Sequence, residues 1–586
     1  MMSLRLLILP ACLALASSCV STPESLGVLD RNLIQSGRPD NAKAYSDFLI
    51  ARYAAMTNDP QIAAAHYAAA IDSAPEKSGI ADRALFAALL SGNYDEGVKL
   101  ARRAEGLGSD AALVRLTLGV DALRRGKDSA AQEMLDETRF GPFNRVVARG
   151  LSAWRVVDTK GSAAAVRYLN EGLTGDPRLD SATLYMMGLV QLSAGQDDAA
   201  LSTFETLWQS GARLAVGVEA HARLLANRGQ RAEALGLLSA FRSEVGTNAS
   251  LDWLRAAIEA GDKIKVRRLK PSQGAALAVY IPAAALMTQT EDDVSAVYFV
   301  LALALDPDLH VARSLWGQTL DNAGRHEEAI AVLASVPENS AFYATSRGQI
   351  AWALRHSGRN QAALSVAAEA LKHQPDRALK VQLADLYRSL DRYGEADTIL
   401  TQIIDEDAEA DRQDWRLLFA RGLAREKMGR WPAAEMDMVE ALALNPDDAA
   451  LLNSLGYSYV DRGKNLDAAI DMIRKAAEIE PESGFILDSL GWAHYRLGRY
   501  GMAVRYLERA VEMEPGDAVL NDHLGDAYWQ TGRKLEARFQ WQRSLRLNPS
   551  IADRERIEVK LVSGPGTSSV KRAESDSNGL PIPQQP

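Results

Sequence analysis

Reactive chemistry needs several suitable side chains in one place, and the histidines and cysteines are the first to weigh. The chain has eight histidines, His66, His221, His310, His326, His356, His373, His494 and His523, scattered along its length. His494 and His523 stand 29 residues apart, yet two imidazoles fall short of the three protein ligands a metal centre needs. Both cysteines, Cys12 and Cys19, lie near the N-terminus, so the body of the chain has no thiolate zinc site and no disulfide framework. Gly119 to Lys127 carries a Gly-Lys pair, but its glycines are too far apart for a phosphate loop, and Asp128 stands where the hydroxyl belongs. Neither a Gly-x-Ser-x-Gly nucleophile elbow nor a His-Glu-x-x-His zinc helix occurs. The expectation is a non-enzymatic protein with no catalytic residue, no metal and no cofactor.

What the chain offers instead is recognition chemistry. Aromatic and carboxylate side chains recur at steps of three and four near the C-terminal end: Asn453 and Tyr457 with Asp461 beside them, then Asp488, Trp492 and Tyr495, then Asp522, Asp526 and Trp529. Such steps put each set on one face of a helix. Aromatic faces give contact area at little conformational cost, and carboxylates select cationic or donor-rich peptides. These nine residues are the candidate partner-binding groove. Some of the aromatics are also placed to pack between elements, Tyr459 and Tyr528 above all.

The elements that must hold those faces repeat. Glycines pair at a spacing of seven (Gly422/Gly429, Gly456/Gly463, Gly491/Gly498, Gly525/Gly532), alanines follow at Ala434, Ala469, Ala503 and Ala537, and Pro446, Pro481, Pro515 and Pro549 recur at intervals of 35, 34 and 34. Gly491 lets a first helix approach a second at Ala503, Gly498 turns the chain, and Pro515 stops the second helix. A period of 34 with this pattern resembles the tetratricopeptide repeat. That resemblance implies an all-α solenoid, a right-handed superhelix of antiparallel helix pairs with about 12–15 units, whose first helices line a concave side.

The pattern is uneven along the chain. It predicts divergent helical repeats over 40–275, better repeats over 276–414, well-matched ones over 415–550, a capping helix over 551–562 and a disordered tail over 563–586. Two apolar stretches, Ala275 to Met287 and Val294 to Leu305, are too short to span a bilayer. They are expected as the two helices of one repeat, buried on more than one side. The acidic run Asp405 to Asp411 is expected as a solvated loop. Lys263, Lys265, Arg267, Arg268 and Lys270 form a basic cluster, expected as a solvated segment with anionic lipid as the alternative.

Composition and leader set the compartment. Net charge is −10 over 586 residues with 47% apolar content, which fits a folded protein and argues against a nucleic-acid partner. Arg5 precedes an apolar run from Leu6 to Ala16, the layout of a secretory signal over 1–18. Leu15-Ala16-Ser17-Ser18-Cys19 resembles a bacterial lipobox, with Ala16 where a larger aliphatic residue is usual. Lipidation at Cys19 would leave 19–39 as a tether and the protein in the cell envelope, at the outer membrane facing the periplasm. Plain cleavage near Ser17 would release it instead.

The stretch Leu452-Asn-Ser-Leu-Gly-Tyr457, with Leu487-Asp-Ser-Leu-Gly-Trp492 and Asn521-Asp-His-Leu-Gly-Asp526, is similar to bacterial tetratricopeptide lipoproteins. Among these are adaptors of periplasmic carboxyl-terminal-processing proteases, of the LbcA and NlpI kind. The resemblance implies a scaffold that is held to the membrane by its N-terminal lipid and presents a soluble protein partner, a processing protease and its substrates. An assembly factor for an envelope, export or pilus machine is the alternative.

Overall fold

The computed structural model describes residues 39–73, 78–175, 180–246, 248–287, 292–409 and 412–565. The signal, the tether, Cys19 and nearly all of the tail lie outside the described residues. Among those described there are thirty α-helices, one short 3-10 turn and no strand. The chain is an all-α solenoid of paired helices, and it divides into two compact units, 1–379 and 380–586. No helix among the described residues is long and apolar enough to cross a membrane.

The first unit opens with hairpins Pro39–Met56/Pro60–Ser73, Ser78–Leu90/Tyr94–Gly106, Ala112–Arg124/Asp128–Met134, Pro142–Lys160/Ser162–Asn170 and Ser181–Ser193/Asp197–Gln209. Helices Pro271–Leu286 and Asp292–Leu305 then pair with each other. They do not simply join the end of the row. Asp292–Leu305 packs on Ser78–Leu90 and Ala112–Arg124, while Pro271–Leu286 packs on Pro142–Lys160 and Ser181–Ser193. A helix apolar on all sides must be covered on all sides, and the first helices of four earlier hairpins supply that cover. Gly150 permits the approach, since a Cβ there would stand 2.6 Å from the Cβ of Ala278. Tyr298 donates its hydroxyl to Asn144 at 2.6 Å across the same seam. The expected burial of both apolar stretches on several sides is therefore observed, but the covering helices come from far back in the chain.

Residues 262–270 are irregular. Arg268 is pinned there by Asp197 at 3.0 Å and by the Leu192 carbonyl, and the other cations of the cluster are exposed. The unit continues through His310–Asn322/His326–Ala334 and Tyr343–His356/Asn360–His373.

In the second unit, Trp415–Lys427/Trp431–Leu444, Ala449–Arg462/Leu466–Ile479, Gly484–Arg496/Tyr500–Met513 and Ala518–Gln530/Lys534–Arg546 follow one another, and Ile551–Ser563 closes the series. Start signals are local: Asp448 accepts from the Leu451 amide, Asp517 from those of Val519 and Leu520, and Ser550 from that of Asp553. Gly491 is required by close packing. A Cβ there would lie 2.6 Å from Leu507 and 3.3 Å from the Ala503 carbonyl. One expectation is corrected. Tyr393–Glu409 is helical through most of the acidic run, and Asp407 is buried rather than solvated, with its carboxylate 3.0 Å from Arg412.

Candidate functional site

The nine candidate groove residues sit on three first helices of the second unit, Ala449–Arg462, Gly484–Arg496 and Ala518–Gln530. Their surroundings differ sharply along the helix axis. The three carboxylates at 488, 522 and 526 are buried, Asp488 facing the next first helix and Asp522 and Asp526 the C-terminal helix.

Asp488 is held by His523 Nδ1, 3.0 Å from both carboxylate oxygens. Above it the rings stack: Trp492 lies 4.1 Å from His523 and 4.7 Å from Tyr495, nearly parallel to both. Burial works against a proton on His523, and the carboxylates of Asp488, Asp522 and Asp526 outweigh it, holding the imidazole above its ordinary pKa. The pair is thus a charge-assisted hydrogen bond in a desolvated place.

Asp522 and Asp526 are covered by the C-terminal helix. Lys560 donates to Asp522 at 2.7 and 2.9 Å and to Asp526 at 2.7 Å, and Arg556 reaches Asp522 at 3.0 Å. Trp541 donates its indole N–H to the other oxygen of Asp526 at 3.0 Å. Burial, followed by the opposing pull of Lys560 and the push of Asp522, leaves Asp526 above the usual carboxylate pKa. Trp529 is half-covered, and Gly564 lies directly against its ring.

These contacts share one register. Asp488 meets His523, Asp522 meets Arg556 and Asp526 meets Lys560, each 34 or 35 positions on. Asp461 and Arg496 approach to 3.6 Å at the same offset, and Gln530 donates to the Tyr495 hydroxyl. The sequence singled out the carboxylates but not their cations. The signal was present, because a cation stands one repeat period after each acid. His494 and His523 take different partners: His494 stacks on Tyr506 at 5.4 Å with the rings parallel. Tyr459 and Tyr528 pack between elements, donating to Glu435 and Glu508.

What remains open is the start of each first helix. Ala450, Phe485 and Val519 occupy the same position in successive units, and all three are exposed, Phe485 by 52%. Farther in, Asn453 Oδ1 is buried with no hydrogen-bond partner among the described residues. Tyr457 and Tyr495 are half-buried, and burial pushes both hydroxyls up to about 12, so they stay neutral donors. Asp461 is exposed. An apolar row beside neutral hydroxyls and an unsatisfied amide oxygen can take hold of a peptide.

Comparison with known proteins bears on the repeat fold over part of the chain. Residues 348–548 match the family described as tetratricopeptide repeat. A TPR repeat-containing protein of Pseudomonas aeruginosa, PA4667, is 34% identical over 156 residues, covering 26% of this chain and 26% of its own length. A lipoprotein NlpI homolog of Haemophilus influenzae is 29% identical over 104 residues, 18% of this chain and 33% of that one. The chain thus spans at most about a third of the length of the curated relatives it matches here. Among solved structures, the APC/C hetero-tetramer Cut9-Hcn1 aligns over 89% of this chain and 96% of that one, at 15% identity and a TM-score of 0.38.

Proposed function

We propose that this chain, a tetratricopeptide repeat protein with its repeats matched over 348–548, is a non-enzymatic scaffold that holds a protein partner along the first helices of residues 449–530. The observation that carries the reading is the exposed row Ala450, Phe485 and Val519. Apolar side chains repeated at one period on a rigid stack offer a continuous strip, and a partner segment laid along it buries them together. The orphaned Asn453 oxygen adds an acceptor that a partner's amide would satisfy, and leaving such a group buried and unmatched costs about 1–3 kcal/mol.

The finer reading is an adaptor in the cell envelope, tethered through Cys19 to the outer membrane and presenting a soluble periplasmic protein, a carboxyl-terminal-processing protease with its substrates. Support comes from the leader and the Leu15-to-Cys19 lipobox pattern and from the similarity to a lipoprotein NlpI homolog. Tethering works by raising local concentration and needs no catalytic group.

The test is crosslinking and purification from native envelopes, with the wild-type chain beside Phe485→Glu. Phe485 is half in solvent, so placing a charge in the apolar strip there leaves helix content unchanged by circular dichroism. A protease captured by wild type and lost in the variant supports the adaptor. An export channel or pilus component captured in that way replaces it with the assembly-factor reading. Equal capture by both chains refutes the strip as the binding surface.

A further inference from the structure

The first unit holds a cluster that the scaffold reading does not use. Asp321, in the last turn of His310–Asn322, accepts from two imidazoles that arrive from different helices. His326 begins the next helix and places Nδ1 2.6 Å from one carboxylate oxygen. His356 ends Tyr343–His356 and places Nδ1 3.0 Å from the other. The rings are 5.4 Å apart, and one donor atom from each of the three residues falls within 4.8 Å of the others. Gly324, at φ +78°, makes the tight turn between Asp321 and His326, with its amide on the Asp321 carbonyl at 3.0 Å.

Other histidine–aspartate contacts among the described residues lack this convergence. His66 meets Asp47 alone, and His523 meets Asp488 while sealed beneath Trp492. At Asp321 two neutral-capable nitrogens and one carboxylate oxygen point at one small volume. They are open enough for an ion to enter, since the side chains are exposed by 13% for Asp321, 25% for His326 and 38% for His356.

We propose that Asp321, His326 and His356 bind a divalent transition-metal ion of the zinc class. The donor set selects it: two imidazoles and one carboxylate suit zinc, cobalt, nickel or copper, whereas calcium and magnesium require oxygen throughout. Ligand bonds of about 2.0–2.2 Å in tetrahedral array put neighbouring donor atoms roughly 3.4 Å apart. The donor atoms, all within 4.8 Å of one another, close by at most about 1.4 Å to reach that spacing. In the bound form each imidazole is the neutral Nε2–H tautomer: the Nδ1 proton donated to Asp321 leaves to solvent, Nε2 takes one proton from solvent, and the Nδ1 lone pair faces the ion. Three protein ligands leave one position for water. Because the ligands come from one hairpin and the first helix of the next, the ion fixes the angle between two successive repeats.

The test uses the full chain, without an affinity tag and stripped by chelator, titrated with cobalt(II) and then zinc(II). One equivalent binds, a visible ligand-field band grows in with cobalt, and zinc discharges it. His326→Gln and His356→Gln each weaken binding roughly tenfold or more, and the double variant abolishes the one-equivalent site. X-ray absorption of the wild-type zinc complex, independent of any variant's folding, shows two imidazole nitrogens. Absence of saturable one-equivalent binding, or retention of it in the double variant, overturns the proposal. Either result leaves the partner strip of the second unit untouched.

Discussion

Replacing Lys560 by Met isolates the contact that seats the C-terminal helix. Met keeps the length of the chain and removes the charge. Asp526 then keeps only the Trp541 indole, and Asp522 keeps Arg556. Removing one partner of a buried pair costs about 3–5 kcal/mol when the other charge stays buried. Protonation limits the loss. Taking Asp526 from its ordinary pKa of 3.8 to a neutral acid at pH 7 costs at most about 4 kcal/mol, at 1.36 per unit. Asp526 already lies above that value, so the ceiling is lower still, and a loss of roughly 2–4 kcal/mol is expected. A repeat array opens locally, so the loss appears as faster hydrogen exchange in residues 551–563, by about 30-fold to several hundred-fold at pH 7. The pH dependence carries a sign. A carboxyl whose folded pKa exceeds its unfolded one loses folded-state stability as pH rises through the folded value. The variant's deficit must therefore shrink at pH 5 and grow at pH 7.5. Exchange less than about fivefold faster at pH 7, or an equal deficit at both pH values, refutes the account of Lys560 as the charge that makes burial of Asp522 and Asp526 tolerable.

Three further outcomes are expected. The raised pKa of His523 contributes stability that is whole below the unfolded histidine value of 6.5 and is lost as pH rises through the folded value. Protection of residues 484–530 should thus decline with alkalinity above pH 6.5 in wild type and not in His523→Gln, as hydrogen exchange will record; a wild-type profile as flat as the variant's removes the charged pair. In the first unit, Gly150→Val drives a side chain into Ala278 and should cost about 1–3 kcal/mol. Gly236→Ala, which meets nothing within 4 Å on an exposed helix face, should gain about 0.5–1 kcal/mol. Urea melts read both, and a midpoint left unchanged by Gly150→Val refutes the account of Gly150 as the residue that permits the close approach of helices 142–160 and 271–286.

The helical pairs were legible because each repeat carries its own instructions. Gly491 must be small, Gly498 must turn, and Asp517 must cap, and these are local demands that a single pass along the chain can read. What lay beyond a single pass were contacts set by offset. Asp488, Asp522 and Asp526 look like open groove carboxylates until the residue one period later is read with each of them. Asp321 and His356 follow the same 35-residue offset, and His326 joins them only because the turn at Gly324 folds it back. The apolar hairpin 271–305 shows a different limit. Its composition demands burial, but nothing in a nearest-neighbour repeat says that helices starting at Ser78 and Ala112 will provide it. Asp407 failed for a related reason, since an acidic run reads as solvated unless the arginine beyond it is counted.

The way inner helix faces are spent argues for where a partner can go. In the first unit the faces of four first helices are filled by the chain's own hairpin, which leaves them little apolar surface to offer beyond Val146. In the second unit the middles of Gly484–Arg496 and Ala518–Gln530 are committed to the next helix through buried charge and stacked rings. A ligand competing there would have to replace a desolvated ion pair, and breaking one from a single side costs about 3–5 kcal/mol before any new contact forms. The row at Ala450, Phe485 and Val519 carries no such obligation. On the proposed reading, selectivity for a partner then comes from apolar side chains repeating at the rise between units, with Asp461 and the Asn453 oxygen fixing direction, rather than from the carboxylates that dominate the sequence of the same helices.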